Sequence, residues 1–122
     1  MVLKLDFRDD EIAQDMICLI MNDKNLQTPE KAVQSAVNEK LKNRLISEGW
    51  ASIAYSIWGH DDGFERPFGT LEEPIFNVEL SDIQWEIVRE VAASEETDET
   101  TAVCYLLLFA MEQLGLSCLM FN

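Results

Sequence analysis

Cations are scarce in this sequence. Lys and Arg together number 9 against 23 Asp and Glu, for a net charge of −14 and a pI near 4.2. The shortage is uneven: residues 1–61 carry seven basic and ten acidic side chains, whereas residues 62–122 carry only Arg66 and Arg89 against thirteen acids. A field of this sign repels phosphate backbones and anionic membranes, and it attracts basic surfaces. Long apolar runs are also missing. The longest, Ala102 to Met111, is closed by Glu112 and reaches about half the ~20 residues of a membrane span. The start of the chain, Met1 to Asp6, reads as too short and too acidic for a signal peptide. Only one histidine, His60, is present. The three cysteines (Cys18, Cys104, Cys118) form no CxxC pair and each lies in an apolar stretch, which argues for buried thiols in a reducing cytoplasm. GxSxG, P-loop and GxGxxG motifs are absent. No cofactor is implied, and neither a catalytic residue nor a metal ligand set stands out.

The remainder describes one domain over residues 1–122, with 48% hydrophobic and 26% charged residues, close to an ordinary globular protein. Residues 2–7 alternate, with Leu3, Leu5 and Phe7 on one face, which is the period of a half-buried strand. A first helix is expected from Asp9 to Asn22, its early carboxylates suiting the positive end of the dipole. Asn22 to Asn25 reads as a loop. Thr28-Pro29 opens a second helix that Gly49 closes. Its apolar stripe is Ala32, Val33, Ala36, Val37, Leu41 and Leu45, and it holds the basic cluster Lys31, Lys40, Lys42 and Arg44. Residues 50–58 alternate as another strand, and residues 59–74 form an irregular acidic loop.

Ile75 to Leu80 is the clearest strand. Ser81 with Gln84 three places on spells a capping box for a third helix striped by Ile83, Ile87, Val88 and Val91. The fourth helix, about residues 100–114, is apolar nearly all round and so belongs at the centre of the fold or in an interface. The apolar tail 116–121 is expected as a short strand or an interface element, and a homodimer is admitted. The expected fold is α+β, about four helices packed on a small, mostly antiparallel sheet built from residues 2–7, 51–58 and 75–80.

Two strand–helix–helix units begin about 70 residues apart, over 2–46 and 75–115, and leave open a distant duplication. The second unit, with Phe76 to Leu80 as ribbon, Ser81 to Gln84 opening one helix and Thr100 to Leu114 as the next, resembles a ribbon–helix–helix module. That resemblance implies a DNA-reading ribbon whose outward residues are Asn77 and Glu79, flanked here by acids with only Arg89 as cation.

His60-Asp61-Asp62 with Glu65 nearby holds ligand-type residues, but the spacing fits neither an EF-hand nor a zinc site, and a polar turn is the simpler reading. Adjacent acids such as Glu72-Glu73 and Glu95-Glu96 point apart and suit solvated faces better than an acid–base pair. The leading expectation is therefore a small non-enzymatic inhibitor of a basic, nucleic-acid-handling protein such as a nuclease. Toxin-immunity proteins, antitoxins and phage-type inhibitors have this profile. Glu72, Glu73, Glu79, Glu86, Glu90, Glu95, Glu96, Asp98 and Glu99 would supply the field, mimicking phosphates, and Phe64 or Phe68 would anchor the partner. The alternative is a ribbon–helix–helix-like DNA-binding regulator.

Overall fold

A computed structural model describes residues 1–49 and 70–115 of the chain. The expected strand over 50–58, the His60 turn, Phe64, Phe68 and the apolar tail lie outside the described residues. The described residues form an α+β fold. The chain order is β1 (Val2–Asp6), α1 (Glu11–Lys24), α2 (Pro29–Ala36), α3 (Glu39–Glu48), β2 (Ile75–Glu79), α4 (Asp82–Ser94) and α5 (Glu99–Gln113). The two strands pair antiparallel, with Lys4 opposite Asn77 at the centre of the register. The ladder extends past both ends through Leu80 N–H to Met1 O at 2.7 Å and Phe7 N–H to Pro74 O at 2.9 Å.

Alternation decides which ribbon face is buried. Leu5, Phe7, Val78 and Leu80 enter the core, and Val2, Lys4, Asp6, Ile75, Asn77 and Glu79 face outward. Phe7 and Phe76 meet with ring centroids 6.0 Å apart. Helix α5 is the central element: Ala102, Val103 and Leu106 to Met111 are buried, and the helix packs against α1, α2, α3 and α4. Its lack of a polar face requires that placement.

The helix expected from Thr28 to Gly49 is in fact two, so the described residues hold five helices where about four were expected. Asn38 divides them. Its carbonyl Oδ1 accepts from Leu41 N–H at 2.9 Å as the N-cap of α3, and its Nδ2 donates to Ser35 O at 3.1 Å at the end of α2. One short amide thus satisfies backbone groups on both sides of the break, which an asparagine does readily. Ala32, Val33, Ala36, Val37, Leu41 and Leu45 are all buried despite the break.

Helix α1 also runs past its expected end. Asn25, at φ 55°, takes the left-handed conformation, and Leu26 N–H reaches Met21 O at 2.8 Å. These bonds make a Schellman closure at Asn25, three residues beyond the expected stop. Thr28 and Ser81 cap α2 and α4 as expected, and Ser81–Gln84 forms both halves of its capping box at 3.1 Å. Ile83 departs from the expected α4 stripe and is 65% exposed. The first turn of α4 faces α2 through Gln84, whose Nε2 donates to Gln34 O at 3.1 Å, and Ile83, one residue earlier, projects to solvent.

Candidate protein-binding surface

The nine carboxylates singled out by charge occupy four places. Glu72 and Glu73 are exposed on the segment that leads into β2. Glu79 is on the outer ribbon face, 3.5 Å from the N-terminal ammonium. Glu86 and Glu90 lie one turn apart on the exposed side of α4, and Glu90 accepts from Lys42 Nζ at 2.6 Å. Glu95, Glu96, Asp98 and Glu99 occupy the turn between α4 and α5. Among the described residues, Glu72, Glu73, Glu86, Glu95, Glu96, Asp98 and Glu99 enter no ion pair.

The α4–α5 turn is built by local bonds. Glu96 N–H donates to Ala93 O at 3.3 Å and Thr97 N–H to Ala92 O at 2.9 Å, a second Schellman closure. The residue at its left-handed position is Glu96, at φ 53°. Glycine or asparagine ordinarily fills that position, because a larger side chain costs ~1 kcal/mol or more there. Asp98 then caps α5, its Oδ1 accepting from Thr101 N–H at 2.8 Å. This bond and the Thr101 side chain hold the Asp98 carboxyl below the usual range.

A further carboxylate reaches α5, beyond this turn, from far along the chain. Asp10, the N-cap of α1, lies 3.9 Å from Cys104 Sγ, and Asp98 acts on the same thiol. The first turns of α1 and α5 therefore share one end of the molecule, and both begin with acids. In the sequence Asp10 is one of the early carboxylates that complement the α1 dipole. Its separation of 94 residues from Cys104 left no local signal of this meeting. Burial first, then Asp10 and Asp98, push the Cys104 thiol up to about 12, so it is protonated and non-nucleophilic at neutral pH. Glu95 similarly helps burial raise Tyr105.

The basic cluster behaves differently. Lys42 bonds Glu90 at 2.6 Å and Glu39 at 3.0 Å. Arg44 bonds Glu48 at 2.7 Å and also Glu112, and lies 5.3 Å from the Phe109 ring centroid. Both cations are held in the charged state by these carboxylates. They tie α3 to α4 and α5.

A cavity of about 690 Å³ opens between the C-terminal turn of α1, the start of α2 and residues 70–76. Glu72 and Glu73 stand at it, with the Asn25 and Gln27 amides and the apolar Met21 and Phe76. The segment carrying the two glutamates is fixed from below. Gln14, only 3% exposed, donates to Phe7 O at 2.6 Å and accepts from Leu71 N–H at 2.9 Å. No group of three His, Cys, Asp or Glu among the described residues is arranged to hold a metal ion. No helix among them is long and apolar enough to cross a membrane. No protein-family model matches the chain, and comparison with curated proteins and with solved structures gave no significant match.

Proposed function

We propose that this protein is a small acidic inhibitor that binds and neutralises a basic, nucleic-acid-handling protein, in the manner of an immunity protein or antitoxin. The observation that carries the reading is the α4–α5 turn. Four carboxylates within five residues are left without ion pairs among the described residues, and Asp10 at the head of α1 lies against Cys104 in the helix that follows them. Holding such charges together is unfavourable for the fold alone and favours capture of a cationic surface. Glu96 adds a strained backbone at the same place. The carboxylates stand in for phosphates and cover the partner's nucleic-acid groove. The test is affinity capture from nuclease-treated lysate of the source cells, comparing the native chain with a Glu95→Lys, Glu96→Lys, Glu99→Lys variant. One basic protein held near stoichiometry by the native chain and lost by the variant supports the reading. Equal capture by both chains contradicts it.

One observation favours a second reading, a ribbon–helix–helix-like DNA-binding regulator. β1 and β2 pair antiparallel as a ribbon, and helices follow each strand. Its outer face offers Lys4 against Asp6 and Glu79, a poor match to phosphate. A gel shift with mixed-sequence duplex at low salt tests it, and an empty lane removes it.

A further inference from the structure

We infer that the cavity between α1, α2 and residues 70–76 is an arginine pocket, which receives one guanidinium side chain of the basic partner. This inference rests on the inhibitor reading and assigns a contact surface to it. Its first support is the sign of the lining. Glu72 and Glu73 stand at the cavity; among the described residues no Lys or Arg lines it and neither glutamate enters an ion pair. A carboxylate with free acceptor oxygens selects a cation with several donors.

The second support is the rest of the lining. Met21 and Phe76 offer apolar and aromatic surface beside the amides of Asn25 and Gln27. An arginine suits this combination better than a lysine: its stem lies on apolar surface, its planar group stacks on a ring, and its fork pairs bidentately with a carboxylate. The third is rigidity. Gln14 clamps Leu71 to Phe7, Pro74 O accepts from Phe7 N–H, and the left-handed Asn25 closes the end of α1 that lines the cavity. A site held in place before binding loses less on association. The fourth is size. At about 690 Å³ the cavity is in the range that holds drug-sized ligands, so it admits an arginine with its flanking backbone.

The experiment is a two-dimensional amide NMR titration of the full chain at constant ionic strength with N-acetyl-arginine amide. N-acetyl-citrulline amide is its uncharged isostere, and free arginine carries its own carboxylate. The expected result is saturable shifts at Asn25, Gln27 and Phe76 with the blocked arginine and none with the citrulline compound. Affinity should fall at least about tenfold in a Glu72→Gln, Glu73→Gln variant, the loss of charge-assisted hydrogen bonds. Both glutamates are exposed, so the variant's remaining spectrum should match the native one. Equal shifts from arginine and citrulline compounds overturn the inference, as do shifts confined to residues 95–99. Tighter binding of free arginine than of the blocked form overturns a side-chain occupant in favour of a free small molecule. Because the titration uses no partner protein, its failure is separate from a failure of the charge-reversal test on the α4–α5 turn.

Discussion

The α3 face and the α4–α5 turn use acidity in opposite ways. On the α3 face two cations serve four carboxylates: Lys42 holds Glu39 and Glu90, and Arg44 holds Glu48 and Glu112. Those acids tie helices together. In the turn, Glu95, Glu96, Asp98 and Glu99 have no cation among the described residues, and Asp10 adds to the same end. Of these five, Asp10 and Asp98 serve the fold as helix caps. The fold therefore uses all the acids of the first region and few of the second. Net charge alone does not separate the two. Only the pairing shows which part of the −14 is available to another molecule.

Substitutions can break or sharpen that contrast. The core beneath both regions sets the scale. Leu107→Ala, at a position with no exposure, should cost ~2–5 kcal/mol in urea unfolding, because a cavity opens in the central helix. A variant as stable as the parent would displace α5 from the centre of the account. Next comes Arg44→Ala. It loses two half-exposed ion pairs and the contact with the Phe109 ring, for a cost of ~1–2 kcal/mol that 1 M salt should partly erase. Glu96→Gly should move the other way. Relief of the left-handed backbone stabilises by ~0.5–1 kcal/mol in thermal unfolding, while binding of the captured partner weakens. A destabilised Glu96→Gly variant would mean that the side chain does structural work.

The smallest effect belongs to the unpaired acids. Glu95→Gln with Glu99→Gln should change stability by less than ~0.5 kcal/mol at neutral pH. Asp98 is the internal control in that turn. Its carboxyl is depressed below the ordinary 3.8 by Thr101 bonds, so its stabilisation is full above that pH and is lost as pH falls through its lower native value. An Asp98→Ala chain should accordingly lose ~1 kcal/mol at pH 7 and show a shallower acid limb in a pH series of melts.

The local signals in the sequence were legible. The alternation of residues 2–7 and 75–80 gave two strands, Thr28-Pro29 and Ser81–Gln84 gave helix starts, and an all-apolar 102–111 gave the central helix. What failed was also local but ambiguous. Asn38 looks like one polar residue within a helix and instead caps two, and Asn25 ends α1 where Asn22 was expected to. A side chain able to hydrogen-bond its own backbone in either role carries no label for which it takes. The candidate surface was legible only as composition. Glu95 to Glu99 were visible as a charge run, but the arrival of Asp10, the withdrawal of Glu90 into an ion pair and the clamp of Gln14 beneath Glu72 depend on contacts 48 to 94 residues apart. Phe64 and Phe68, the expected anchors, lie outside the described residues.

The most direct test of the central claim is the association rate of the native chain with its captured basic partner, measured as a function of salt and repeated with Glu95, Glu96 and Glu99 reversed to Lys. A turn whose charge serves recognition predicts a native rate that falls steeply with salt, and a variant that associates more slowly with little salt dependence. Identical rates and slopes for the two chains would contradict the account and return the acidity of the turn to solubility alone.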